Sequence, residues 1–211
     1  GDRNAACGVS ALQNNTTGTQ NVAVGAYALD ANTTASSNTG VGYNALGANT
    51  TGTQNVSVGN RCLEANTTAN YNTAVGSNSL QACTTGHSNT AVGTEALTAV
   101  TTSTYNTAVG YQASATQTTS GQYNTTVGYQ AGKANTTGTS LIAVGYKALL
   151  NNTTGSQNTC IGESALRANT TATYGTAVGH NALNTNTTGI MNTAVGGLAL
   201  DANTTGALNT A

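Results

Sequence analysis

The chain repeats one pattern of hydrophobic and polar positions with a 17-residue period. A glycine after Val, Ile or Cys opens each repeat, and the period is kept throughout except between Gly110 and Gly128, where one extra residue is present. This regularity predicts twelve copies of one unit, the last cut short, and a single repeat domain over residues 1–211 without a linker. The repeats start near Gly8, Gly25, Gly42, Gly59, Gly76, Gly93, Gly110, Gly128, Gly145, Gly162, Gly179 and Gly196.

With the glycine as position 0, the unit reads G-x-x-A-L-x-A-N-T-T-G-x-x-N-T-A-V. Positions 14 and 16 hold Thr, Val or Ile from Val22 to Val195, which is the two-residue period of a β-strand. Position 15, between them, holds only small residues such as Ala23 and Gly40. Because neither face carries a long polar side chain, we expect both faces of this strand to be covered.

A unit of this length is too short for two packed helices and fits one coil of a β-solenoid. We therefore predict an all-β parallel β-solenoid (β-helix or β-roll) of about twelve coils, each with two short strands and their turns. At a strand spacing of ~4.8 Å, twelve coils make a rod roughly 55 Å long. The G-x-x-A-L segment could instead form a single helical turn. The extra residue near Ser120 and Gly121 should bulge at a turn and leave the columns in register.

Charged residues mark the outside of the coil, because apart from Asp2 and Arg3 they occur only at positions 1, 2 and 5. Leu at position 4 and Ala at position 3 recur in ten of twelve repeats, so both positions are predicted to lie in the core. The small residues at position 15 never become large, so we expect close contact there with another chain or an opposing sheet. The alanines assigned to inter-chain packing are Ala74, Ala91, Ala108, Ala143, Ala177 and Ala194.

The repeat N-T-A-V-G-Y-x-A-L-x-x-N-T-T-G resembles a degenerate repeat of phage tail-fibre and bacterial surface proteins. Its core is also similar to the head repeats of YadA-like trimeric adhesins. The matching segments are residues 106–113, 124–131 and 72–76. The resemblance implies a parallel β-roll or β-helix in a homotrimeric fibre that attaches to host surfaces. The repeat unit of this chain is longer than the adhesin head repeat.

Composition excludes several functions. Only 5% of residues are charged, and five Lys and Arg cannot form the basic face that nucleic acid requires. No apolar run approaches the ~18 residues of a membrane span, so we expect no membrane insertion. No signal peptide is recognisable, and we interpret the chain as a mature protein or a fragment of a longer one.

No catalytic, cofactor or metal site is predicted. His87 and His180 fall in different columns about five coils apart, so they cannot share a metal and read as surface residues. The four cysteines occupy four different columns and each replaces a small or apolar residue, which favours buried free thiols. A Cys62–Cys83 bridge between neighbouring coils is the one disulfide that the spacing allows.

Three features of the surface suggest function. The Asn-Thr-Thr sequences are N-glycosylation acceptors, but an internal Asn and Thr ladder is the favoured interpretation because Cys83, Val100 and Gln117 fill the same column. The asparagines are Asn15, Asn32, Asn49, Asn66, Asn135, Asn152, Asn169, Asn186 and Asn203. Tyrosines at position 1 are candidate surface contacts, namely Tyr43, Tyr111, Tyr129 and Tyr146. Thr-x-Thr pairs suggest ice binding, at Thr17/Thr19, Thr51/Thr53, Thr102/Thr104, Thr137/Thr139 and Thr171/Thr173.

We therefore expect a non-enzymatic, structural and adhesive shaft of an extracellular fibre on a virion or cell surface. Its partners would be further copies of the chain, with a trimer favoured, and a host-surface glycan or protein. The alternatives are an ice-binding solenoid and a glycosylated filament subunit.

Overall fold

The computed structural model describes residues 2–211 as an all-β solenoid of about eleven turns. Its strands are three residues long and parallel, and within each of the two units given below they follow one another in sequence order. The predicted fold class is thus confirmed. Among residues 2–211, no helix is long and apolar enough to cross a membrane.

The chain divides into two compact units, Gly1–Tyr105 and Asn106–Ala211, which are described one at a time. The first unit contains β1 (Ala5–Cys7), β2 (Val22–Val24), β3 (Thr39–Val41), β4 (Val56–Val58), β5 (Thr73–Val75) and β6 (Thr90–Val92). The second unit contains β7 (Thr107–Val109), β8 (Thr125–Val127), β9 (Ile142–Val144), β10 (Thr159–Ile161), β11 (Thr176–Val178) and β12 (Thr193–Val195).

Within each unit, the described neighbouring strands pair without any shift of register. Val56 pairs with Thr73 in the first unit, and Ile142 pairs with Thr159 in the second. The extra residue near Ser120 does not disturb this register, because Thr107 pairs with Thr125. The predicted bulge at a turn is confirmed. Two strands per coil were expected, but each coil contains one strand, and the remaining residues form turns.

Hydrogen bonds also join successive coils through the turns. In the first unit, the Leu29 N–H donates to the Ala45 carbonyl at 3.0 Å, and the Thr50 N–H donates to the Thr67 carbonyl at 3.0 Å. In the second unit, the Leu149 N–H donates to the Ala165 carbonyl at 2.9 Å. Backbone groups outside the strands therefore find partners in the next coil, as buried backbone groups require.

The turn after each strand uses left-handed backbone conformations. The glycine at position 0 has a positive φ, for example 135° at Gly145, and so do the residues at positions 2 and 4, such as Tyr27 (60°) and Leu29 (51°). A right-handed helical turn has negative φ throughout. The alternative of a helical turn in the G-x-x-A-L segment is therefore wrong.

The strand has one fully buried face and one partly exposed face. Position 15 points into the coil, where a side chain on Gly40 would contact the Leu29 side chain of position 4. Positions 14 and 16 point outward, and Val24 and Ile142 remain 40% and 42% exposed. Within a single chain the face of positions 14 and 16 is therefore not covered, contrary to the expectation for both strand faces.

The alanines assigned to inter-chain packing lie inside the single chain. All six have no exposed surface, namely Ala74, Ala91, Ala108, Ala143, Ala177 and Ala194. The prediction that they pack against another chain is therefore wrong. Their small size has another cause: the leucine column and the backbone of their own solenoid leave no room for a larger side chain.

The size of the position 15 residue is matched by its neighbours at position 4. Thr126 is larger than the usual alanine, and its hydroxyl lies 3.1 Å from the Ser114 hydroxyl. A Cβ on Gly132 would lie 2.9 Å from the Thr126 Cγ2 atom. Ser114 and Gly132 are the two exceptions in the leucine column, so volume added at position 15 is compensated by volume removed at position 4.

Candidate functional site

Asparagines form two ladders inside the solenoid. At position 13, the Asn72 Nδ2 donates to the Gly86 carbonyl at 2.8 Å, and its Oδ1 accepts from the Asn89 N–H at 2.9 Å. At position 7, the Asn49 Nδ2 donates to the Asn32 Oδ1 at 3.0 Å and also to the Gly52 carbonyl at 3.0 Å. These buried amides satisfy their hydrogen bonds by repetition from coil to coil.

The predicted glycosylation sites are the asparagines of the position 7 ladder, and the ladder makes their side-chain nitrogens inaccessible. Seven of the nine asparagines are at most 1% exposed: Asn32, Asn49, Asn66, Asn135, Asn152, Asn169 and Asn186. Asn15 and Asn203, which are half-buried, also use Nδ2 to donate to the Gly18 and Gly206 carbonyls. A glycan must bond to this nitrogen, so a glycosylated asparagine does not fit the folded chain. The internal ladder is the interpretation that the structure supports.

The ladder is interrupted where cysteine replaces asparagine. The Asn66 Oδ1 atom is buried without a hydrogen-bond partner in the described chain. The next residue in this column is Cys83, whose thiol donates to the Gly86 carbonyl instead.

Three of the four free thiols are buried. Burial raises the pKa of Cys62 to about 11 and that of Cys83 to about 12, and it raises the pKa of Cys160 as well. A protonated, buried thiol is chemically inert. Cys7 is exposed, so the expectation of burial is wrong for this residue, because position 16 faces outward.

Within residues 2–211, no group of three or more His, Cys, Asp or Glu residues is arranged to hold a metal ion. His180 is exposed, and His87 packs edge-on against the Tyr105 ring with centroids 5.1 Å apart. Arg61 and Glu64 form an ion pair with a 2.8 Å N···O distance. Burial opposes ionisation of Glu64, but hydrogen bonds from Arg61 and Gln81 lower its pKa. These polar groups satisfy one another at the surface.

The outward residues of positions 14 and 16 form a partly exposed surface in each unit, which we call the T-x-V face. It comprises these residues of β2–β6 in the first unit and of β7–β12 in the second, and none of them is charged. Within the described residues, the hydroxyls of the position 14 threonines, such as Thr73 and Thr159, make no hydrogen bond to the protein. By contrast, the Thr153 hydroxyl at position 8 donates to the Thr170 carbonyl at 3.0 Å.

Tyrosines flank the T-x-V face. Tyr111, Tyr129 and Tyr146 stack on successive coils, with centroids 5.5 Å and 5.3 Å apart and ring planes within 19°. The Lys147 ammonium lies 4.9 Å from the centroid of Tyr146, a cation–π contact. Tyr43 is also exposed and meets the Tyr27 ring edge-on. The four tyrosines assigned to surface contact are all exposed, and three of them form one stack.

The Thr-x-Thr pairs lie on turns, outside the strands. Thr17 is exposed, but Gly18 between the two threonines is buried, and the Thr19 hydroxyl bonds to the Ser36 hydroxyl. The Thr53 hydroxyl likewise donates to the Asn70 Oδ1 at 3.0 Å. These pairs therefore do not form a flat array. The T-x-V face was not predicted from the sequence, because both faces of the strand were expected to be covered.

No family model, curated protein or solved structure matches the chain. The class of the protein is therefore defined by its fold, a parallel β-solenoid with one strand in each repeat of the sequence. The resemblance to fibre repeats stays a prediction.

Proposed function

We propose that the chain is a structural and adhesive part of the shaft of an extracellular fibre, either a phage tail fibre or a bacterial surface filament, on a virion or cell surface. The main support is the hydrogen bonding between coils, which runs through the turns as well as the strands. A coil bonded in this way cannot open without breaking contacts to both neighbours, which suits a shaft under load.

The outer surface supports the adhesive part of this proposal. It presents the same columns in coil after coil, an arrangement that favours many weak simultaneous contacts. The stacked rings of Tyr111, Tyr129 and Tyr146 are already ordered, so they would lose little conformational entropy on binding. Their exposed edges and hydroxyls suit a host-surface glycan or protein.

The adhesive function can be tested with beads coated with the full chain and held under flow on host cells or immobilised glycans. Replacing Tyr111 alone by Ser should reduce retention about twofold or less. Replacing all four position 1 tyrosines should reduce retention at least about tenfold, because avidity multiplies weak contacts.

The matched control replaces the position 12 tyrosines by Ser, namely Tyr71, Tyr105, Tyr123 and Tyr174. These are equally exposed but belong to another column. Failure of the parent chain to bind any surface, or an equal loss in both sets, contradicts the adhesive role of position 1.

A homotrimer is part of this proposal, with an interface on an outward column because position 15 is interior. The chain has a mass of 20.8 kDa. Light scattering after size-exclusion chromatography should give three times this mass. A mass of one chain at micromolar concentration contradicts the trimer.

A further inference from the structure

Each unit presents its T-x-V face as a regular two-dimensional array. Strands follow one another at about 4.8 Å, and residues two apart on one strand are separated by about 6.7 Å. Register is kept at every described strand pair of each unit, including Thr107 with Thr125 beside the insertion. The side chains at equivalent positions therefore repeat along the sheet at fixed intervals.

The chemistry of this array alternates between two columns. Position 14 carries threonine in eight of the eleven strands β2–β12, with hydroxyls that have no protein partner in the described chain, and Val22, Val56 or Ile142 in the other three. Position 16 carries the methyl groups of Val or Ile. Other threonines of the fold do have partners, since the Thr33 hydroxyl at position 8 donates to the Thr50 carbonyl at 3.2 Å. The position 9 threonines, such as Thr154 and Thr171, are exposed and also make no hydroxyl hydrogen bond to the described part of the protein, but they lie on a turn outside the strands. The T-x-V face is therefore the threonine-bearing surface that belongs to the sheet.

We propose that the T-x-V face binds the surface of ice. The array would hold water molecules at repeated positions between its methyl groups and anchor them by the free hydroxyls. Its repeat lengths are comparable with the oxygen spacings on faces of the ice lattice. This inference goes beyond the fibre shaft and does not rest on it, because a single chain in solution suffices for the binding.

Ice fits this face better than a protein or a small molecule does. Two columns over five or six strands cover on the order of 300 Å² in each unit, whereas a stable protein interface needs about 800 Å² from each partner. Small molecules bind in concave pockets, and this face is an outward sheet surface. The absence of charge disfavours ionic partners and suits a neutral lattice of water. A rigid array also engages many lattice positions at once, without an ordering cost for each one.

Thermal hysteresis, the gap between the melting and freezing temperatures of an ice crystal, tests this inference. The parent chain should produce hysteresis and shape the crystal. Replacing Thr159 and Thr176 by Lys, Thr159→Lys/Thr176→Lys, should reduce hysteresis roughly fivefold or more, because two long charged side chains interrupt a multivalent contact.

The matched control is Thr154→Lys/Thr171→Lys, which places the same charges at exposed position 9 of the same coils. It should keep the hysteresis of the parent. Circular dichroism checks that each variant keeps the fold. If the lysine variant melts early, Thr159→Tyr takes its place, because tyrosine is bulky and is favoured in strands.

Three results overturn the inference. The first is a parent chain that neither shapes ice nor shows hysteresis. The second is an equal loss in the strand and control variants, which would place any binding on another face. The third is a trimeric parent without hysteresis that becomes monomeric in Thr159→Lys/Thr176→Lys, which would assign the face to self-association. Failure of bead adhesion leaves this measurement unaffected, so the two proposals fail separately.

Discussion

Replacing Gly145 by alanine should break the contact between two coils. Gly145 has a φ of 135°, and an added Cβ would lie 2.5 Å from the Gly162 carbonyl oxygen. The backbone conformation alone costs a residue with a side chain about 1–3 kcal/mol, and overpacking against a neighbouring backbone costs about 1–3 kcal/mol more. The expected loss in the free energy of unfolding is therefore about 2–6 kcal/mol. For a domain stable by about 5–15 kcal/mol, this is a large fraction.

Substitutions at two further glycines of the same unit distinguish the cost of backbone strain from the cost of overpacking. Gly196 has a φ of 129°, but nothing lies within 4 Å of its added Cβ. Gly197 has no positive φ in the strained range, and its added Cβ would lie 3.9 Å from the nearest atom, the His180 oxygen. Gly196→Ala should thus cost at most about 1–3 kcal/mol, and Gly197→Ala should change stability by less than about 0.5 kcal/mol.

Urea unfolding followed by circular dichroism measures the global loss for each variant. Repeat proteins can open at one end first, so amide hydrogen exchange should accompany it and show protection lost in the coils around residues 145 and 162. If Gly145→Ala costs no more than Gly196→Ala, close approach of the coils is not the reason for this glycine. If it costs no more than Gly197→Ala, the strain argument is also refuted.

Three other predictions concern the interior and can be measured by urea unfolding. Asn72→Ala should lower the free energy of unfolding by about 1–3 kcal/mol, because it leaves the buried Asn89 N–H without its acceptor. Asn60→Ala at an exposed position should change it by less than about 0.5 kcal/mol, and equal effects of the two variants would contradict the ladder. Gly132→Leu should lower the free energy of unfolding by about 1–3 kcal/mol through overpacking. Adding Thr126→Ala to the same chain should restore the lost stability. If it does not, the side chains at the two positions do not compete for the same space. Burial raises the pKa of Cys83 from 9.0 to about 12, so the folded chain keeps a proton that the unfolded chain releases above pH 9. Stability should therefore fall as pH rises from 9 towards 12, by up to about 1.4 kcal/mol per pH unit for this thiol, and Cys83→Val should show a smaller slope; an unchanged slope would contradict burial of the thiol.

Part of the internal packing was readable in the sequence and was overlooked. Thr126 is the one β-branched residue at position 15, and Ser114 and Gly132 are the only residues in the leucine column that are not leucine. These exceptions occur in neighbouring coils, which is the pattern expected when two columns face each other across one core. Comparing exceptions between columns would have placed position 15 opposite position 4, inside the chain.

The sequence by itself determined the period, the stacking in register and the columns that carry charge. A strand pattern that returns at a constant interval can satisfy its hydrogen bonds by stacking identical coils, and charge is tolerated only where water reaches. The strand pattern alone does not decide which strand face is inside, because alternation of small and β-branched residues is compatible with either orientation, and the tertiary structure decided it. It also decided the left-handed turns at residues such as Tyr27 and Leu29. Those conformations follow from closing the coil onto its neighbours, a non-local requirement that overrides the local preference of these residues.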